Sequence, residues 1–326
     1  MKKGKVLCSI STRGRYDNYL PMALQSVMMQ TRVPDYLVIF DDNDEPTDLR
    51  NVPTYQHLFQ MLYLRKLNWE VIFGEKKGQH YNHHKANHMG YEWVWRVDDD
   101  NIAEPNVLET FMSHAKDHVG AIGGAVLTPP LNGKVMPVTG KIENISNEPN
   151  VQWNYIRAVQ HVDHLHCSFL YRAGVQDYEL SLSKVAHREE TLFTYGLKKK
   201  GYDVLVVPNA VTWHLKSPTG GIRDGQHELY MHDERLFELR DYTIVVLDSG
   251  LGDHINFKHM LPEIKNPLIF SCYPDVFPGV PQKSIAEALE LFSGNIDHHN
   301  VYRWMDNRNW KGTLEEAYRA MYLPKK

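Results

Sequence analysis

Asp98, Asp99 and Asp100 follow one another directly after the apolar run 93–97 and are succeeded by Asn101. Adjacent carboxylates repel and gain nothing from burial unless a cation neutralises them. Oxygen-only ligands suit a hard divalent ion, and magnesium or manganese ordinarily shares such a site with substrate phosphates. A second group, Asp41-Asp42-Asn43-Asp44, ends the apolar run 36–40 in the same manner. A solvated turn would account for either cluster alone, but not for both standing at the ends of apolar runs.

The elements that must position these acids alternate between strand and helix patterns. Residues 5–10 are a β-rich run into the polar loop Ser11-Thr12-Arg13-Gly14-Arg15, and 20–30 carries apolar residues at helical spacing with Pro21 in its first turn. Runs at 36–40, 69–73 and 93–97 read as further strands. In a parallel α/β sheet the loops at the carboxyl ends of the strands line the ligand crevice, so both acid clusters are expected to face one pocket. The pattern continues with a helix over 105–118, a glycine-rich strand over 119–127, loops and short hairpins over 128–150 and a strand over 161–171. A helix over 183–200 closed by Gly201 and a strand over 204–207 follow. After a helix at 229–240, a fresh β-α-β pattern runs over 243–272, and 284–322 is mostly helical. Two domains are expected, 1–235 and a small α/β and helical module at 236–326.

Strand 1 leading into Ser11-Thr12-Arg13, a second strand ending IFDDND and a later WVWRVDDDN together resemble the nucleotide-sugar half of a family 2 glycosyltransferase with the GT-A fold. The stretch HREETLFTYGLKKKGYDVLVVPNAVTWH is similar to the family's later segment, with an acidic pair opening a helix, a Gly-Tyr turn, a strand and a histidine. The resemblance covers roughly residues 5–223, about two thirds of the chain, and implies a mixed, mainly parallel sheet flanked by helices. It implies that Asp41 or Asp42 holds the nucleotide base, with Ser11, Thr12 and Arg13 lining the same pocket. Asp98, with Asp99 beside it, would meet the donor's ribose, and Asp100, closing the Asp-X-Asp pattern, the Mn2+ or Mg2+ that bridges the diphosphate. His214 matches an occasional further ligand of the metal or diphosphate, Arg223 in the glycine loop 220–223 covers the leaving phosphates, and Lys85 and Asn87 fit a basic residue and an asparagine near the donor. Glu190 stands where the family usually has its aspartate base. The change to glutamate adds one methylene, so either Glu189 or Glu190 could be the one that reaches.

The chemistry asks for such groups whatever the family. Breaking a sugar–phosphate bond leaves a nucleoside diphosphate with extra negative charge, which a metal and a cationic side chain stabilise as it develops. The attacking hydroxyl must lose its proton, and a carboxylate in reach contributes roughly 100- to 10,000-fold as base. One base and direct displacement would invert the anomeric centre.

Other features have duller readings. His84 and His88 share a helix face in a geometry zinc can use, but no HExxH pattern is present, and a polar face or contact with the donor is the alternative. Trp93 and Trp95 alternate as core residues do, while Trp153 and Trp213, nearer loops, could stack on a sugar. Cys167 reads as a small buried residue in a strand rather than a nucleophile. Lys198-Lys199-Lys200 suits a solvated helix end. The segment TIVVLDSGLGDHINFKHMLPEIKNPLIFSCYP is similar to the opening of a GT-B type domain such as the heptosyltransferases, yet is too short to turn over a donor of its own. It reads as a docking, acceptor-positioning or capping module, and its Gly250-Leu251-Gly252-Asp253 turn is a weak phosphate signal.

The chain has 326 residues, 36 Lys+Arg against 40 Asp+Glu and a net charge of -4, which selects for neither nucleic acid nor an anionic membrane. Three cysteines at no metal-like spacing, a polar turn soon after the basic start and no apolar run of membrane-spanning length fit a reduced, cytoplasmic protein. The expectation is a metal-dependent, inverting transferase moving sugar from a nucleotide-sugar donor, with UDP favoured, to a hydroxyl acceptor. A saccharide or a hydroxylated nucleic-acid base would qualify as acceptor, and no residue selects among the classes. A two-metal phosphodiesterase or nuclease and a non-catalytic nucleotide-sugar-binding protein are the competing readings.

Overall fold

The computed structural model describes residues 2–130, 140–145, 150–216 and 227–322. Arg223 with its glycine loop at 220–223, and residues 131–139 and 146–149 of the expected hairpin stretch, lie outside the described residues. The chain forms two compact units, Met1–Glu179 with Lys184–Gln226, and Leu180–Ser183 with His227–Lys326.

The first unit runs β1 (Lys2–Thr12), α1 (Tyr19–Met28), β2 (Tyr36–Asp41), α2 (Pro53–Leu64), β3 (Asn68–Phe73), α3 (Gln79–Asn87), β4 (Tyr91–Asp98) and β5 (Asn101–Ala103). It continues through α4 (Val107–His114), β6 (Val119–Leu127), β7 (Gln160–His161), β8 (Phe169–Arg172), α5 (Glu189–Lys199) and β9 (Asp203–His214). The sheet order is β3-β2-β1-β4-β8-β6-β9-β5, with β7 also on β9. Strands β3, β2, β1 and β4 pair in parallel, as β6 and β9 do, while β8 is antiparallel to both its neighbours and β5 to β9.

Local causes are plain. Strand β1 is buried on both faces from Val6 to Ile10, as a central parallel strand must be. Helix α1 buries Leu20, Ala23, Leu24, Val27 and Met28, a stripe at helical spacing, and the Asn18 side chain accepts from the Tyr19 N–H at its start. In β4, Trp93, Trp95 and Val97 pack into the main core, which leaves Val94, Arg96 and Asp98 on the opposite face. Both expected core tryptophans are there.

Two elements differ from their sequence patterns. The alternating stretch 161–171 is not one strand: only its ends lie in β7 and β8, and side chains replace the ladder between them. Asp163 accepts from the Ile142 N–H at 3.0 Å, Thr194 from Leu165 at 3.0 Å and Gln152 from His166 at 2.7 Å. Cys167, expected inside a strand, sits half-buried in a left-handed turn with φ 58° just before β8. Helix α5 starts at Glu189 rather than 183, because Ala186 and Arg188 have φ of 54° and 66° and cannot continue a right-handed helix.

The second unit holds α6 (His227–Glu238), β10 (Thr243–Leu247), α7 (Leu251–Met260), β11 (Pro267–Ser271), β12 (Gln282–Lys283), α8 (Ile285–Leu291), α9 (Val301–Asn307) and α10 (Leu314–Tyr322). Its parallel sheet β10-β11-β12 and helices enclose Val245, Phe257, Ile269, Val301 and Tyr318. Buried Asp233 of α6 accepts from the Ser183 N–H at 2.7 Å and from its hydroxyl at 2.9 Å. The division therefore precedes α6 instead of falling at 235, since a buried carboxylate needs those donors within its own unit. Helix α7 begins directly after Gly250, whose φ of −68° is ordinary, and nothing crowds Gly250 or Gly252, so no close approach calls for glycine there.

Candidate active site

Register brings the acids together. In the β1–β2 pair Thr12 lies opposite Asp41, and in the β1–β4 pair Ser11 lies opposite Asp98, so both clusters flank the tip of β1 at the carboxyl ends of parallel strands. Around that tip, Thr12 donates to Asp99 Oδ2 at 2.8 Å and the Arg13 N–H to the same oxygen at 3.3 Å. Ser11 Oγ accepts from Asn82 Nδ2 at 2.8 Å.

Two arginines and a histidine answer the triplet. Asp98 pairs with Arg96 at 3.2 Å. Asp99 pairs with buried Arg15, whose Nη2 also lies 3.2 Å from Asp100 Oδ2. His214, at the end of β9 opposite Asn101, brings Nε2 to 3.5 Å from that same Asp100 oxygen. Burial pushes the Asp99 carboxyl up to about 6, with Arg15 opposing and Asp100 adding repulsion. Asp98 is raised for the same reason, burial first, against the pull of Arg96.

Arg96 is the residue sequence reasoning missed. Fully buried on β4, it meets Glu189 at 2.5 Å, Glu190 at 3.1 Å and Asp98 at 3.2 Å, so one guanidinium gathers three carboxylates. An arginine inside the buried run WVWRVD was the available signal, because a charge in that position needs partners. Glu189 and Glu190 open α5, where carboxylates complement the helix dipole. The Glu189 side chain has no exposure, whereas Glu190 keeps 15%. Burial drives the Glu189 carboxyl up to about 8 despite Arg96, with Glu190 and Asp98 adding repulsion. At Glu190 burial is again the largest effect and pushes upward, but Arg96 and His166 together with the backbone amides of Glu190 and Cys167 outweigh it, and the carboxyl lies below its usual range.

At the second cluster, Asp41 accepts from the Tyr16 hydroxyl and, at 3.0 and 2.8 Å, from the amide and side chain of Asn43. Asp42 Oδ1 takes the Lys76 N–H at 2.9 Å, and Arg13 donates to the Asp42 carbonyl at 2.7 Å and pairs with Asp44. Gly74 is tied by its N–H to the Asp41 carbonyl at 2.7 Å, and a Cβ there would lie 2.3 Å from Asp42 Oδ1. Lys85 reaches this neighbourhood through Glu75, at 2.7 Å. Asn87 does not: its amide binds the Gly174 N–H at 2.9 Å and the Gln176 carbonyl at 2.8 Å. The asparagine of α3 that meets the β1 tip is Asn82, one and a half turns earlier. Trp153 is exposed beside His166, while Trp213 donates to Glu104 at 3.2 Å.

The sequence profile of glycosyl transferase family 2 matches residues 9–178, more than half of the 326, and the chain belongs to that family. Over 119 residues it is 29% identical to the galactofuranosyltransferase GlfT1 of Mycolicibacterium smegmatis, a match spanning 36% of this chain and 38% of that protein. In fold it is similar to TarS 1-349 of S. aureus, solved with UDP-GlcNAc, at TM-score 0.50 and 15% identity over 97% of this chain and 81% of the other. It is likewise similar to GalNAc-T7, solved with UDP, GalNAc and Mn2+, at TM-score 0.53 and 11% identity over 98% and 58%. Membership in that family favours sugar transfer over the phosphodiesterase reading.

Proposed function

We propose that the enzyme transfers a sugar, with inversion, from a UDP-sugar to a hydroxyl acceptor, using a divalent ion and Glu190 as base. The observation that carries this reading is charge. Five carboxylates, Asp98, Asp99, Asp100, Glu189 and Glu190, gather around two buried arginines, Arg15 and Arg96. That surplus favours a further cation. Asp100 Oδ2 and His214 Nε2, 3.5 Å apart, fit as two ligands of one ion, with diphosphate oxygens and water to complete its shell. When bound, such an ion neutralises charge on the departing diphosphate.

The chain's own groups do the rest. Asp41 or Asp42 meets the uracil, with Ser11, Thr12 and Arg13 around it and Asp98 at the ribose. Glu190, partly open and held ionised by Arg96, accepts the proton of the attacking hydroxyl as the new glycosidic bond forms and the diphosphate leaves. Fully buried Glu189 anchors Arg96 instead, which supports Glu190 over Glu189 as the base. UDP as the donor nucleotide is supported by the two solved structures named above, both of which hold UDP or a UDP-sugar, and a divalent ion by the Mn2+ of one of them.

The test is a thermal-shift panel of nucleoside diphosphates with and without Mn2+, followed by transfer assays with UDP-GlcNAc and UDP-galactofuranose. UDP should stabilise the protein only with the metal, and Asp100→Ala should abolish that increment. Glu190→Gln should bind UDP within about threefold of wild type and lose roughly 100- to 10,000-fold in turnover. A Glu190→Gln enzyme with the full rate would place the base elsewhere; a metal increment surviving in Asp100→Ala would remove the ion from that residue.

A further inference from the structure

We propose that His84, His88 and Asp177 form a second metal site, for zinc, at the end of α3 away from the donor pocket. Among the described residues these are the three His, Cys, Asp or Glu side chains that bring one donor atom each within 4.8 Å of one another. His88 Nε2 lies 2.8 Å and His84 Nδ1 4.0 Å from the same Asp177 oxygen, Oδ1. Tetrahedral zinc with bonds of 2.0 to 2.1 Å separates its ligand atoms by about 3.3 Å. The two observed distances bracket that value, so a small opening of one contact and closing of the other seats the ion.

The scaffold is built before any metal arrives. Spacing of four residues puts both imidazoles on one side of the end of α3, His84 in its last turn and His88 at its C-cap, with ring centroids 4.7 Å apart. Asn87, between them in sequence, binds the Gly174 N–H and the Gln176 carbonyl, which fixes the segment carrying Asp177 against the helix. Two imidazoles and one carboxylate suit zinc better than magnesium or calcium, and a three-ligand set leaves one position for water.

Topology keeps this site apart from the catalytic one. Helix α3 starts near the strand tips, where Gln79 donates to Glu189 at 2.9 Å, and runs back to the amino end of β4, where β8 delivers residues 174–177. An ion there cannot touch the donor. It would staple α3 to the segment leading into Tyr178, whose ring stacks on Phe193 of α5. The role is structural support of the helix that presents Glu190, at one remove from the chemistry.

The full chain, stripped with chelator, would be titrated with zinc sulfate by calorimetry, and with Co2+ to read the visible absorption of a tetrahedral site. An Asp100→Ala background removes the proposed donor-site ion. One zinc per chain, a rise in melting temperature on zinc addition, and at least tenfold weaker binding in both His88→Gln and Asp177→Asn are expected. His88 and Asp177 are half exposed, so both variants should melt with the parent in chelator, and that comparison guards against misfolding. Undiminished zinc binding in both variants, or none in the parent, would overturn the site and leave a plain histidine–aspartate pair.

Discussion

Arg96 decides more of the site than any acid around it. Removing a buried partner while leaving its carboxylates in place costs about 3–5 kcal/mol. Arg96→Met should therefore lower the unfolding free energy in urea by roughly that amount, and a loss below about 1 kcal/mol would mean that Asp98, Glu189 and Glu190 find other cations. A second residue-scale consequence concerns acid. Burial holds His164 down to about 3, against about 6.5 for an exposed imidazole. Below pH 6.5 the unfolded chain takes up a proton that folded His164 refuses. Stability from this group is thus complete above pH 6.5 and falls by up to about 1.4 kcal/mol per pH unit toward pH 3. His164→Gln should flatten the melting temperature between pH 6.5 and 4 relative to wild type; parallel profiles would refute the assignment.

Among the elements, the strand tips were legible. The acids, the Ser-Thr-Arg loop and the apolar runs before them share one end of a parallel array by topology alone, and β1, β2 and β4 have the expected order of contacts. Helix α3 was harder to read. Its polar sequence QHYNHHKAN carries no apolar stripe to set its rotation, so Asn87 was expected at the donor and Asn82 is the one that meets β1. The stretch 161–171 misled for a related reason: alternation of residue type cannot tell a ladder hydrogen bond from one made by Asp163, Gln152 or Thr194. The turn between β3 and α3 offers a test at this scale. Gly74→Ala puts a methyl against Asp42 and Asn82, with an overpacking cost of about 1–3 kcal/mol. UDP binding should weaken together with stability, and unchanged binding would remove Asp42 from the nucleotide pocket.

At the scale of the whole molecule, the chain leaves its first unit at Leu180–Ser183 to join the second and then returns. That excursion is held by Asp233, by His232 on the Ser181 carbonyl at 2.9 Å and by Asn295 on the Ser181 hydroxyl at 3.3 Å. The C-terminal module is thus not simply appended after the transferase domain. Asp233→Ala strips two bonds to a buried carboxylate and should lower the melting temperature by at least about 4 °C, given roughly 1.5 kcal/mol or more per bond to a charged group. A melt coincident with wild type would show that other contacts hold the segment. Among the described residues no helix is long and apolar enough to cross a membrane.

Residue order by itself determined the parallel strands, the placing of both acid clusters at their carboxyl ends and the family, because periodicity and end-of-strand position are local properties of the chain. Only the tertiary structure decided which charge answers which. Arg96 and Glu190 are 94 positions apart, Arg15 and Asp99 are 84 apart, and the burial that splits Glu189 from Glu190 comes from elements distant in sequence from both. Electrostatics inside a protein depends on distance and exclusion of water, and neither is written in the spacing of residues along the chain.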